Sequence, residues 1–484
     1  MFPLAGLGVW VLMKQASGAL RLVLLCLVLA AASLAARLPL HGDTGLYHQQ
    51  AVIWMSESAL PYGLANLHGR FGFNSAWWNF AALLQMPWMA RGASMYLATP
   101  VLCVFFGLLF AGALRRAWNS GLTVAVVMIL AAGYLWFRQM SGANNPSLST
   151  DAPVNLFIVA SAVALVLWRS ERSPQLLLVW SILACAAAAF KLTGLPWLVA
   201  SGAVVGWSLV LSSSGSRRTP VSHREIFAAM AGFIILSVNV ARGVVVSGYP
   251  FYPLKLCGFG WLPWSVRPET LGSDTEGIRN WPTRGEAAHW VEFIANWVEN
   301  QYGLTNVVMA LVLALAIAAL LFVVGRRNFR AARALLADNL PVVLAAAAGL
   351  AVCLVYAPAL RFVSGYFFTL AGLLLGSGLS ALPSSHSIRL GRLAVVVAII
   401  LAVLPNAGGL SGRAIAWRQT PPAPEADRSL EVRTTRQGES IKIGFAWDAE
   451  PPATPYFEPD LVVVRNKTGA IREFRVAHEK PESP

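Results

Sequence analysis

The chain has 484 residues, of which 56% are apolar and 12% charged, about half the roughly 25% charged residues of a soluble domain. That composition excludes an ordinary soluble globular protein. The net charge of +14 would fit nucleic-acid binding only if Lys and Arg clustered on one folded surface; here they stand in short runs between apolar stretches, as cytoplasmic loop anchors do, so no nucleic-acid partner is expected.

Of the 37 basic and 23 acidic residues, 22 lie in the last 74 positions. Residues 1–410 therefore read as an all-α polytopic membrane domain and 411–484 as a small solvated appendage. Lys14 and Arg21 precede a first apolar stretch, and because more such stretches follow, it reads as an uncleaved helix. At about 20 apolar residues per crossing, about 11 spans are expected: 20–40, 94–114, 120–137, 153–169, 175–191, 195–212, 226–247, 303–325, 340–357, 362–382 and 393–410. Segment 74–90 is apolar enough to cross, but it carries Gln85, Pro87 and aromatic rings of the interfacial type. Charge assigns it. With 74–90 in the interface and a cytoplasmic N-terminus, the inner loops hold 15 Lys or Arg against the acids Glu171, Glu225 and Asp338. Making it a span would put every later Arg-Arg pair outside. The C-terminus is then extracytoplasmic.

Two outer loops, 41–93 and 248–302, exceed any plain connection, and loops of that length are usually functional. Within the first, Tyr47, Ala51, Trp54 and Met55 share a helical face, so 45–58 reads as an amphipathic helix on the outer leaflet. The second is dense in aromatic rings, among them Trp261, Trp264, Trp281, Trp290 and Trp297, which suit a headgroup level or sugar stacking. After a Pro-rich linker, the tail alternates apolar and polar residues in IKIGFAW and DLVVVRNKTGAIREFRV, which predicts a small antiparallel sheet turning at Asn466 to Gly469 and packed on the outer loops. The five cysteines, Cys26, Cys103, Cys185, Cys257 and Cys353, form no CxxC pair and give no metal cluster or disulfide framework.

With this topology Asp43, Asp151, Lys191 and Arg361 all arrive at the outer face from different helices. Each has a plain reading: Asp43 and Asp151 as helix caps, Lys191 and Arg361 as snorkelling cations. Together, two carboxylates and two cations at one depth are what a phosphorylated, hydroxylated substrate requires.

The long first outer loop with Asp43, then STDAPVNLF from Ser149, FKLTGLP from Phe190 and LRFVSGY from Leu360 resemble the GT-C superfamily of integral-membrane glycosyltransferases, in particular the protein O-mannosyltransferases and bacterial lipid A aminoarabinose transferases. HGDTGLYH, GLANLHGRFGFNS, SGYPFYP and WDAEPPATPY resemble still more closely a group of bacterial multi-pass membrane proteins, a likeness that brings no reaction with it. The GT-C resemblance implies Asp43 as general base, Asp151 as a second acid orienting the acceptor or a metal, and Lys191 and Arg361 on the phosphate of a polyprenyl-phosphate-linked sugar. His48, His68, Arg70, Asn74 and Tyr252 are then expected around the acceptor or sugar. The chain departs from the family in having Thr44 after Asp43, Asn66, His68 and Asn74 where a His-Pro-Pro element stands, and Arg361-Phe362 for Arg-Tyr.

No cofactor is assigned. His41, Asp43 and His48 are divalent-metal ligand types for Mg or Mn, but no tight motif such as HExxH accompanies them, and ordinary hydrogen bonding ranks ahead of metal binding. The expected function is transfer of a sugar from a polyprenyl-phosphate donor to an extracytoplasmic glycan, lipid or protein at a bacterial inner membrane. The rivals are a flippase or transporter of a lipid-linked glycan, which calls for charges at the bilayer midplane, where Arg242 is the one candidate, and a non-catalytic membrane subunit of a polysaccharide assembly complex.

Overall fold

The computed structural model of the protein describes residues 42–57, 60–85, 94–141, 147–214, 222–280, 291–292, 329–380, 430–445 and 449–477. These are helical up to residue 380 and strand-forming after it. The spans expected at 20–40, 303–325 and 393–410, and Trp281, Trp290 and Trp297, lie outside the described residues.

The centre of the bundle is α5 (Asp151–Glu171), whose residues from Asp151 to Trp168 are all buried. Its sequence is apolar on every face, which suits a helix surrounded by others. It packs against α4 (Thr123–Ser141), α6 (Pro174–Phe190) and α12 (Leu360–Ser380). Small residues permit this closeness: a side chain at Gly365 of α12 would meet the Asn155 backbone at 2.7 Å, and one at Gly372 would meet Met128 at 3.0 Å. Around this core stand α3 (Ala98–Asn119), α7 (Leu195–Ser214), α8 (His223–Met230), α9 (Phe233–Ser247) and α11 (Phe329–Tyr356). Among the described residues six helical segments are long and apolar enough to cross a membrane: Ser94–Asn119, Asp151–Glu171, Leu192–Val210, His223–Ser247, Asp338–Tyr356 and Leu360–Ser380. Thr123–Gly133 and Pro174–Phe190 are shorter apolar helices. Eight of the expected spans fall on described helical residues, six of them in segments long and apolar enough to cross, so the expected count of about 11 is supported only in part, and the molecule is a multi-pass membrane protein by length and composition. Exposed Phe227, Ile234, Val238, Val199 and Trp207 form the kind of outward apolar surface that lipid covers.

Charged residues gather at both ends of the helices. At one end Arg116 donates to Glu171, and Arg169 reaches Ser208 and the Asp338 carbonyl. Asp151 begins α5, Lys191 follows α6 and Arg361 begins α12, so these three share the opposite end.

Two expectations for the first outer loop are corrected. Residues 45–58 do not lie on a surface: a π-helical turn (Thr44–His48) runs into α1 (Gln49–Glu57), and His48 through Trp54 are all buried. The aromatic face packs on α2 (Ala76–Leu83) and on the tail; of the polar residues, the Gln50 amide donates to the Ala449 carbonyl of the tail at 2.8 Å and Gln49 accepts from Tyr96 at 2.9 Å. Nor do the rings of 74–85 sit in an interface. Trp77 and Trp78 are fully buried, Trp78 donating to the Leu148 carbonyl. At eight residues, α2 is too short to cross. In the second loop Trp261 is exposed, whereas Tyr249 and Tyr252 are buried and Trp264 donates to the Val244 carbonyl. That loop also carries α10 (Pro268–Asn280).

The tail forms two small sheets rather than one. β1 (Glu431–Thr434) pairs antiparallel with β2 (Ser440–Ile443), and β2 pairs parallel with β3 (Ala453–Thr454). β4 (Leu461–Arg465) and β5 (Ile471–Val476) form the expected hairpin, with the Asn466 side chain accepting from Thr468 and Ala470 and Gly469 at φ 82° closing the turn. β5 bonds the first outer loop through Tyr62, and Phe474 is buried edge-on against Trp54 at 5.7 Å.

Candidate functional site

Where the helix ends meet the two loops and the tail, they enclose a cavity of about 1840 Å³, larger than the ~300–1,000 Å³ of an ordinary small-molecule pocket. Asp43, His48, His68, Arg70, Asp151, Lys191, Tyr252 and Arg361 all line it.

Its floor is an ion triad. Asp151 accepts a hydrogen bond from Lys191 Nζ on Oδ1 and forms an ion pair with Arg361, whose Nε stands 3.4 Å from Oδ2. Phe362 lies beneath both cations, its ring centre 3.5 Å from Lys191 Nζ and 4.9 Å from the Arg361 guanidinium. A buried charge is costly unless paired, and here one carboxylate pairs two cations, which leaves a net positive charge facing the cavity. Asp43 stands at the N-cap of the π-helical turn without a side-chain cap bond, Thr150 occupies the N-cap of α5 with Asp151 in its first turn, and Lys191 turns inward to Asp151. Asp151 is engaged with both cations.

Neighbouring residues fix the triad. Asn155, one turn after Asp151, donates from Nδ2 to the Arg361 carbonyl at 2.7 Å and accepts the Gly365 N–H on Oδ1 at 2.7 Å. One buried amide thereby locks the first turn of α12. Tyr366 donates to the Thr193 carbonyl at 2.6 Å and accepts from the Trp197 N–H at 3.0 Å, tying α12 to the turn that carries Lys191. A side chain at Gly194 would overlap the Ala187 carbonyl, so only glycine lets this turn fold back on α6.

The wall is the first loop. Arg70 donates to Asp43 Oδ1 at 3.1 Å and lies over the Tyr47 ring at 5.0 Å. Tyr47 is buried, and its phenol is pushed up by burial and by Asp43. His68 contacts Tyr47, Phe71 and Tyr456 edge-on or tilted. Burial, with Arg70 nearby, lowers its pKa to about 3, so it is neutral at pH 7. Asn74 stands apart from the large cavity: it lines a small adjoining pocket, accepts from Arg242 at 2.6 Å and donates to the Asn239 carbonyl at 2.6 Å. Its amide is consumed in holding the loop to α9, where its oxygen gives the buried Arg242 guanidinium a neutral hydrogen-bond partner.

Against this wall, Tyr252 donates to Asp274 on α10. Burial raises the Asp274 carboxyl above its ordinary value, against the opposing effects of the Tyr252 bond and Arg70. A side chain at Gly69 would overlap the Asp274 carboxylate, and one at Gly72 the Tyr252 ring, so the two loops interlock here. Asp274, Asn155 and Phe362 are site residues that sequence reasoning missed; Asn155 and Phe362 stood within the quoted motifs, whereas Asp274, in a polar segment of the second loop, gave no signal.

Among the described residues no three His, Cys, Asp or Glu side chains are grouped to hold a metal ion; His41 lies outside them.

No curated protein and no solved structure matches the chain. A family model does, over residues 9–368, and the chain belongs to that family, described as a domain of unknown function, DUF8201. The match includes the triad, the first loop and α10, and ends before the tail.

Proposed function

We propose that this protein is a membrane glycosyltransferase of GT-C type, moving a sugar from a polyprenyl-phosphate donor to an extracytoplasmic acceptor. The observation that carries the reading is the triad: Lys191 and Arg361, from different membrane-embedded helices, converge on Asp151 in the floor of a cavity whose wall holds Asp43. A net positive floor at the end of apolar helices favours a phosphate delivered on a lipid. The arginine-bearing helix ends lie at the opposite side of the bundle, and by the positive-inside rule that side is cytoplasmic. The cavity then opens on the extracytoplasmic side of a bacterial inner membrane, with the N-terminus inside and the tail outside.

In this mechanism the acceptor hydroxyl attacks the anomeric carbon of the donor and its proton passes to Asp43. The bond from that carbon to the phosphate oxygen breaks, and its electron pair leaves with the polyprenyl phosphate. Lys191 and Arg361 stabilise the growing charge, the kind of fixed electrostatic help that contributes most when water is excluded. Asp151 is a positioning residue that keeps the cations apart and pointed inward. Arg70 orients the Asp43 carboxylate through its Oδ1.

The test is transfer by purified protein from polyprenyl-phosphate sugars, with Asp43→Asn and Lys191→Ala beside it. Asp43→Asn turning over at the parent rate would remove the base from the reading. A flippase would move the lipid-linked sugar across a vesicle without breaking its anomeric bond, which the same material distinguishes.

A further inference from the structure

The cavity is divided by chemistry. Its floor holds the cations, whereas the residues the tail contributes to it are Phe445, Tyr456, Phe457, Glu458 and Val476, with no basic group among them. Tyr456 is 59% exposed and Phe445 43% exposed, which is unusual for rings inside a folded enclosure and leaves flat aromatic surface open to a ligand. The ring of Tyr456 lies 5.3 Å from that of His68, tilted by 58°. His68 is 5% exposed, lines the same cavity, and its Nε2 is buried with no hydrogen-bond partner among the described residues. A buried polar atom left unpaired costs on the order of 1–3 kcal/mol, so an unpaired nitrogen at a cavity wall marks a place where a ligand group completes the bonding. The imidazole is neutral, so it suits a hydroxyl better than an anion.

This face is anchored. Thr454 donates to the Leu67 carbonyl at 3.2 Å and accepts the Tyr456 N–H at 3.3 Å, Gln50 holds the Ala449 carbonyl, and Glu458 accepts the Asp460 N–H at 3.1 Å. Tyr456 is therefore held against the first loop, next to His68, and Glu458, two residues on, lines the same cavity.

We infer that the tail and His68 form a second subsite, which binds a neutral pyranoside by stacking on Tyr456 and hydrogen bonding to His68 Nε2 and the Glu458 carboxylate. Resting on the glycosyltransferase reading, this makes the acceptor a carbohydrate and the tail its selector. The hydroxyl-bearing faces of a neutral sugar meet the carboxylate and the imidazole, and its C–H face meets the ring. A phosphate is directed instead to the floor, where the cations are.

The experiment is saturation-transfer NMR on the full chain in detergent, with methyl β-glucopyranoside, methyl α-mannopyranoside and methyl N-acetyl-β-glucosaminide as probes. At least one should receive saturation on its ring protons from the parent protein and from Tyr456→Phe. In Tyr456→Ala the affinity should fall about fivefold, the size of one ring contact, and His68→Phe should weaken it similarly while keeping a ring in place. Tyr456 is exposed enough that its removal leaves the fold intact, which thermal unfolding checks. Equal saturation in Tyr456→Ala and parent, or none on any glycoside, overturns the subsite. Binding of undecaprenyl phosphate, followed separately by ³¹P NMR, keeps the two readings apart: glycoside binding without phosphate binding preserves the subsite and defeats the donor site, and the reverse does the opposite.

Discussion

Asp43 and Lys191 differ in when they act, and their variants should fail differently. A base takes the acceptor proton only as the reaction proceeds, so Asp43→Asn should lower turnover by roughly 10² to 10⁴-fold with donor affinity nearly unchanged. Lys191 meets the phosphate before and during reaction, so Lys191→Ala should weaken donor binding as well as rate. Single-turnover kinetics with a donor titration separates the two. Asn155 is buried and engages both the Arg361 carbonyl and the Gly365 N–H, so Asn155→Leu should cost ~1–3 kcal/mol of stability and raise the donor KM by displacing Arg361, where a merely structural change would leave KM alone. His68 supplies a pH dependence. Its folded pKa, about 3, lies below the ordinary 6.5, so its contribution to stability is complete above 6.5 and is lost as pH falls toward 3. Asp274, raised by burial, acts oppositely from about 3.8 upward. A Tm series from pH 7 to 4 should therefore fall, and fall less in His68→Gln. At this scale the sequence displayed the ion residues because charges are rare in apolar chain. It did not display Asn155 or Asp274, whose roles arise from groups more than 20 positions away in the chain.

At the scale of elements, the helices were the legible part and the first outer loop was not. Apolar stretches long enough to span a bilayer have few alternatives to a helix, and all eight expected spans on described residues became helices. The 45–58 segment does have an apolar face, but burial on both sides is decided by what packs above it, and that is the tail, some 400 residues later. Its polar residues looked solvent-facing because Gln50 finds its partner in Ala449. The hairpin was legible from its alternation and its Asn466 to Gly469 turn; the parallel pairing of β2 with β3 was not, since a two-residue strand carries no pattern. Phe474 is the joint between tail and first loop. Phe474→Ala should cost ~3–5 kcal/mol, and the result should be selective cleavage of residues 430–477 by added protease while the helical bundle stays intact. Uniform resistance to protease would mean that the Asn66, Arg267 and Gln50 bonds hold the tail without Phe474.

For the whole molecule, the proposed orientation rests on the positive-inside rule applied to the end that carries Arg116 and Arg169. A C-terminal alkaline phosphatase fusion should be active, and an inactive one would place the cavity on the cytoplasmic side, where a lipid-linked donor in the outer leaflet is out of reach. The composition made the membrane class legible at once, and the spacing of four charged residues indicated a common face. The cavity itself was not legible, because it is the space between two loops and a tail that no periodicity connects. The most direct measurement of the central claim is equilibrium binding of a polyprenyl-phosphate sugar to the purified protein, parent against Lys191→Ala and Arg361→Gln, with release of polyprenyl phosphate followed after acceptor is added. Saturable binding that both substitutions weaken, with release of polyprenyl phosphate by the parent, is the predicted result; equal binding by all three proteins, or binding without any release, would contradict it.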